Sequence, residues 1–116
     1  MLPRHFRLQN NKEITYLGQR GQRWRGKYFS AAWKLRAHQS FPRFAFVVSG
    51  KVARRATKRN LLTRRLREMV REELKQYPLR PADIVLYAHR AALDADRKQL
   101  QREISQFLRR FNKNKK

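Results

Sequence analysis

Cysteine is absent from this chain, which excludes disulfides, thiolate metal sites and a cysteine nucleophile. The absence suits a reducing compartment, and a cytoplasmic location is expected. Apolar runs are short: a stretch such as "FAFVV" (44–48) cannot cross a bilayer. The opening "MLPRHFRLQNNKE" lacks the apolar run of about 7 to 15 residues that a signal peptide needs, so no membrane targeting is expected. Glycine and proline number four each, and no internal repeat or low-complexity segment is present.

The sharpest deficit is of negative charge. Eight acidic residues face 30 lysines and arginines, a formal net charge of +22 in 116 residues. Self-repulsion on this scale destabilises a compact state unless a polyanion neutralises it, so the working state is expected to be a complex. Twenty of the basic residues are arginines, whose planar fork matches phosphate oxygens where lysine offers a point charge. Hydrophobic residues still make up 41% of the chain, with two Trp, seven Phe and four Tyr, far above a disordered basic tail. The length suits one core. One RNA-binding domain over residues 1–112, with a basic tail at 113–116, is the expected organisation.

"LQNNKEITYLGQRG" (8–21) offers asparagine caps, Ile14 and Leu17 three apart, and a stop at Gly18 or Gly21, which predicts a short helix. "KYFSAAWKL" (27–35) alternates, and "PRFAFVVSG" (42–50) follows a polar stretch, so the two read as an antiparallel pair in one sheet. From Val52 the period becomes helical, with Leu62, Leu66, Met69, Val70 and Leu74 on one face; the two prolines of "YPLRPAD" (77–83) end that helix. "DIVLYAH" (83–89) is apolar enough for a central strand beside the second one. Asp94 or Asp96 can cap a last helix carrying Leu100, Ile104, Phe107, Leu108 and Phe111. The fold class is α+β, a two-layer sandwich in the order helix, two or three strands, helix, strand, helix.

The segment "KVARRATKRNLLTRRLREMVREEL" (51–74) carries the functional signal: nine basic residues among spaced leucines. At 100° per residue, Asn60, Arg64, Arg67 and Arg71 form a stripe about 60° wide, with Lys58, Leu61 and Arg65 on another flank. A helix stabilised by solvation alone usually places glutamates four residues before its arginines, each pair worth about 0.2 to 0.5 kcal/mol; residues 53–67 contain no acid. Like charges at i and i+4, such as Arg55 and Arg59, cost a comparable amount until phosphate reverses the sign. The Asn60 amide can donate and accept, which suits a base or ribose hydroxyl, or it can bond the preceding helical turn.

The run "KVARRATKRNLLTRRLRE" (51–68) resembles the signature of the bacterial ribonuclease P protein subunit, in which a basic pair, alanine and Arg-Asn precede spaced arginines and Arg-Glu. "FRLQNNKEITYLGQRG" is similar to that family's opening helix, "KYFSAAW" and "FAFVVSGK" to its strands, and "DIVLYAHRAA" to its later strand. The resemblance implies RNA contacts at Lys51, Arg55, Arg59, Asn60, Arg64 and Arg67. The basic pattern adds Arg54, Lys58, Arg65 and Arg71. The family resemblance further implies a left-handed crossover from the second strand through the basic helix, where handedness rules alone favour the opposite hand. In the family, the single-stranded 5′ leader of precursor tRNA lies on aromatics between the first helix and the sheet. Ile14, Gly18 and Ala32 stand at places where aromatics are frequent, Gly50 where a second lysine is common, and Leu61 and Thr63 where basic residues are frequent. Tyr16, Phe29 and Trp33 are the aromatics available for stacking, worth roughly 1 to 3 kcal/mol per base, although the aromatic preference for burial favours Phe29 and Trp33 as core; Ile14, His89 and Arg90 complete the expected leader set.

No catalytic protein residue is expected. His5, His38 and His89 are scattered, and no metal motif, phosphate loop or nucleophile elbow is present. The family's division of labour implies that RNA holds the magnesium ions and cleaves, with one protein per RNA, so no cofactor is expected on the protein itself. Two rivals share the charge: a structural ribosomal-type RNA-binding protein, and a basic amphipathic helix adsorbed to anionic membranes, the latter disfavoured because the leucine face is needed by the core.

Overall fold

The computed structural model describes residues 4–36, 41–76 and 79–113. His38, Pro78 and residues 114–116 of the expected tail lie outside them. After a short 3-10 turn at Arg4–Phe6 come α1 (Asn11–Arg20), β1 (Gln22–Arg25), β2 (Phe29–Leu35), β3 (Arg43–Val47), α2 (Ala56–Gln76), β4 (Ala82–Ala88), α3 (Ala91–Asp94) and α4 (Arg97–Lys113). The class is α+β, as expected.

The four strands form one sheet in the order β1-β2-β4-β3. β2 runs antiparallel to β4 with Trp33 opposite Ile84, and β3 runs parallel to β4 with Phe44 opposite Ile84. β2 and β3 therefore share a sheet and oppose each other in direction, but they are not the neighbours that the sequence suggested, because β4 lies between them. The reason is burial: every residue of β4 except Tyr87 is buried, and a strand apolar on both faces belongs in the middle of a sheet. β3, α2 and β4 form a parallel crossover unit through the basic helix.

The larger core lies on the face that carries Phe29, Ala31, Trp33, Phe44, Ile84 and Leu86, covered by Leu62, Leu66, Met69 and Val70 of α2 and by Leu100, Ile104, Phe107, Leu108 and Phe111 of α4. Each of these large side chains contributes about 1.5 to 3 kcal/mol on burial. The predicted helical faces are thus the observed ones, with Leu74 half-buried. α1 lies on the opposite face, where Leu17 meets Leu8, Ala45 and Val85, and Ile14 packs beside them. The sheet consequently has one fully covered face and one that α1 covers in part.

The caps follow local chemistry. The Asn10 side chain accepts from the backbone N–H groups of Lys12 and Glu13 at the start of α1. Gly21 ends it, and a Cβ there would stand 2.7 Å from the Leu17 carbonyl oxygen and 2.9 Å from that of Trp33, so only glycine lets the chain turn directly into β1. Asp96, not Asp94, caps α4: its carboxylate accepts from Gln99 N at 2.8 Å while Gln99 Oε1 accepts from Asp96 N at 3.0 Å. Glu103 of α4 fastens the β1-β2 turn, accepting from the backbone N–H groups of Lys27, Tyr28 and Phe29 at 3.2, 2.9 and 3.1 Å.

Candidate nucleic-acid interface

α2 exists because its leucine face is buried; its arginines are carried outward by the same periodicity. Asn60, Arg64 and Arg67, with Thr57, Leu61 and Glu68, line an open groove of about 560 Å3. Asn60 and Arg64 are exposed, and no hydrogen bond within the described residues engages the Asn60 amide. That leaves it free to read a ligand, and the alternative of a bond to the preceding turn is not realised; Thr63 makes such a bond instead, donating to the Arg59 carbonyl oxygen at 2.9 Å. Arg67 is half-buried, and its Nε is enclosed without a partner. Arg71 continues the stripe in solvent. On the other flank Lys58 and Arg65 face α3 across a smaller groove of about 210 Å3 with Leu61, Leu62, Ala92, Leu93 and Asp94.

Lys51, Arg54 and Arg55 are exposed on the segment that enters α2, whose first turn holds no acid. Unpaired N–H groups and the positive end of the helix dipole add to these cations, an arrangement that favours phosphate. Arg59 has a second task. It is half-buried, and its Nη1 donates to the carbonyl oxygens of Ala53 and Arg54 at 2.9 and 2.7 Å, so it fixes the entry turn that presents its neighbours.

The partly covered face of the sheet forms a cleft against α1. Tyr16 is 44% exposed, with Lys34 Nζ 5.1 Å from its ring centroid. Ile14 is half-buried and supports α1 from beneath. Phe29 and Trp33 do not belong to this cleft. They are 0% and 6% exposed, pointing to the other face against Phe107, with Phe111 also against Trp33, because alternate residues of a strand face opposite sides. Their rings are core and have no face to offer a base.

The aromatic wall of the cleft comes instead from Tyr87, which sequence reading passed over. Tyr87 and Ser30, Ala32, Arg23 and Arg25 border a groove of about 330 Å3. A Cβ on Gly18 would lie 2.7 Å from the Tyr87 hydroxyl, so the ring from β4 occupies space that an aromatic at position 18 would need. Burial pushes the Tyr87 hydroxyl above its ordinary pKa, with Arg23 pulling the other way. Arg23 also donates to the Gly18 carbonyl oxygen, tying β1 to α1. The available signal was the alternation in "QRWR" and "IVLYA", which sets Arg23 and Arg25 out of phase with Trp24, and Tyr87 out of phase with Ile84 and Leu86 of the larger core. His89 sits at the end of β4, its Nε2 2.7 Å from Ser30 Oγ and its Nδ1 3.2 Å from the Lys27 carbonyl oxygen; Arg90 beside it is exposed.

α1 is anchored by an ionic chain. Asp83, fully buried in β4, accepts from Arg43 Nε and Nη2 at 2.8 and 2.9 Å and from Arg36 Nε at 3.0 Å. Arg43 Nη2 reaches on to Glu13 of α1 at 2.9 Å. The hydrogen bond and charge of Asp83, against a desolvation cost, raise the Arg43 pKa further above its ordinary value. The cleft wall is thereby locked to the sheet.

A small α+β domain with a strongly cationic helix, acid-free from Ala56 to Arg67, on one side and a basic, tyrosine-walled cleft on the other has the character of an RNA-binding protein. Comparison with known proteins gives the family. The family model described as Ribonuclease P matches residues 2–112, and the chain belongs to that family. A ribonuclease P protein component from a Pseudanabaena strain is 34% identical over 76 residues, 66% of each chain. One from a Cyanothece strain is 27% identical over 124 residues, 93% of each. The ribonuclease P protein of Staphylococcus aureus superposes with a TM-score of 0.78 at 20% identity, covering 93% of this chain and 95% of that one. That of Thermotoga maritima gives 0.79 at 23% identity, covering 90% and 96%. Both share the fold. As a member of this family the chain is an RNA-binding protein component of an endoribonuclease that partners ribonuclease P RNA. No helix among the described residues is long and apolar enough to cross a membrane.

Proposed function

We propose that this protein, as one copy per ribonuclease P RNA, stabilises that RNA through α2 and its entry turn and holds the 5′ leader of precursor tRNA along the α1 cleft, while the RNA binds magnesium and cleaves. The observation that carries the reading is the outward face of α2, free of acids from Ala56 to Arg67, where Asn60 and Arg64 stand unengaged beside Arg67. Lys51, Arg54, Arg55, Lys58, Arg65 and Arg71 extend this surface, and Arg59 shapes it. In the cleft, Tyr16 and Tyr87 supply stacking faces, while Arg23, Arg25, His89 and Arg90 supply donors along the leader path. Residues 1–112 act as one RNA-binding unit, working in the cytoplasm.

The acidic residues support a division of labour between protein and RNA. Glu13, Asp83, Asp96 and Glu103 hold elements together, and Glu73 is buried, accepting from Gln101 Nε2 at 3.1 Å. The protein's contribution is then positioning and neutralisation of charge, so a reaction that RNA performs at high magnesium becomes efficient at low magnesium. The deciding experiment is cleavage of precursor tRNA at low magnesium by a bacterial ribonuclease P RNA, with and without this protein. Strong stimulation with a correct mature 5′ end is expected. Tight RNA binding without stimulation would refute it in favour of a ribosomal-type scaffold.

A further inference from the structure

α4 carries a second basic stripe that neither the α2 surface nor the cleft uses. Lys98, Arg102, Arg109 and Lys113 are all exposed, and at 100° per residue they fall within about 60° of one another on the side opposite the buried Ile104 and Phe107. At 1.5 Å per residue the stripe is about 22 Å long. None of these four makes an ion pair among the described residues.

The sequence gives α4 no internal remedy for this charge. Glu103 is the only acid in residues 97–116, and its carboxylate is committed to the backbone N–H groups of Lys27, Tyr28 and Phe29. Lys98 with Arg102, and Arg109 with Lys113, are like charges at i and i+4, a destabilising pattern in the free helix. The apolar residues of α4 are all in the core, so the stripe has nothing to insert into a lipid surface, which leaves a hydrophilic polyanion as its complement. On the flank toward β1, exposed Arg110 borders a groove of about 360 Å3 that also meets Gln22 and Trp24. Gln101 Nε2 donates to the Met69 carbonyl oxygen of α2 at 3.3 Å, so the two helices are in direct contact.

We infer that the outward face of α4 is a second RNA surface, gripping a phosphate strand separate from the one along α2. The inference rests on the ribonucleoprotein reading above and extends it. The protein then clamps two RNA segments at once, with Lys98, Arg102, Arg109, Arg110 and Lys113 on the second.

The cysteine-free chain makes the test direct. Single variants Gln106→Cys, beside the α4 stripe, and Thr57→Cys, on α2, each carry a tethered iron chelate and are assembled with ribonuclease P RNA. Hydroxyl-radical cleavage from position 106 at discrete nucleotides, distinct from those cut from position 57, is expected. Absence of cleavage from position 106 overturns the inference whatever position 57 shows; loss of both, with no stimulation of precursor cleavage by the unmodified protein, shows that the parent reading has failed as well. Independently, the triple change Arg102→Gln, Arg109→Gln, Lys113→Gln should reduce the slope of log affinity against log salt by about 2 to 3, and an unaltered slope overturns the assignment.

Discussion

Replacing Asp83 by asparagine tests how α1 is held. The change keeps the volume but removes the charge and turns one of two acceptor oxygens into a donor facing guanidinium donors. Asp83 now receives three charge-assisted hydrogen bonds, two from Arg43 and one from Arg36. Breaking a buried pair by altering one partner costs about 3 to 5 kcal/mol when the other charge is left buried. Here the Arg43 and Arg36 side chains retain 31% and 33% exposure, so water recovers part of the loss, and about 2 to 3 kcal/mol is expected. At roughly 3 to 5 °C per kcal/mol for a domain of this size, the melting temperature should fall by about 6 to 15 °C. The assay is thermal unfolding of the free protein followed by circular dichroism, with the exposed Asp94→Asn as control and Glu13→Gln as the outer arm, for which a loss below about 1 kcal/mol is expected. A double-mutant cycle between positions 13 and 83 should show coupling through Arg43. A loss below about 0.5 kcal/mol for Asp83→Asn would refute the claim that this chain of charges anchors the cleft.

Arg64→Ala with Arg67→Ala should lower affinity for ribonuclease P RNA and reduce its salt slope by about 2, whereas Arg59→Ala should weaken RNA binding and also cost about 1 kcal/mol of stability, because it releases the Ala53 and Arg54 carbonyls; filter binding and denaturant titration separate the two effects. Tyr87→Phe should flatten the alkaline limb of the stability curve: the fold favours the neutral phenol, so its contribution is intact below about pH 10 and declines as pH rises from there toward the raised folded value. Equal alkaline loss in both proteins would contradict the burial of that hydroxyl. Gly21→Ala should cost roughly 1 to 3 kcal/mol through collision of the new methyl with the Leu17 and Trp33 carbonyl oxygens, measured by denaturant unfolding.

The helical faces of α2 and α4 were legible because a period of 3.6 residues is a local property: Leu62, Leu66, Ile104 and Phe107 are buried where the spacing put them. The same periodicity displayed Asn60, Arg64 and Arg71 outward before any partner was considered, and the scarcity of acids around them needed no coordinates to read. β1 was harder to place, since "QRWR" has one inward residue and three charged or polar ones, the pattern of an edge strand whose stability comes from β2. The antiparallel directions of β2 and β3 were inferred correctly and their adjacency was not, because strand pairing is a contest among distant segments that β4 wins by having two apolar faces.

Composition, charge and helical period by themselves determined that this is a folded α+β protein with a phosphate-seeking helix, since each depends on residues within a few positions of one another. Only the tertiary structure decided that Phe29 and Trp33 are core, that Tyr87 walls the cleft, that Arg59 braces the turn it was expected simply to charge, and that Glu103 is withdrawn from α4's surface to hold a hairpin 75 residues away. Those outcomes depend on which face of a strand meets which helix, a choice made by the burial of the whole chain at once.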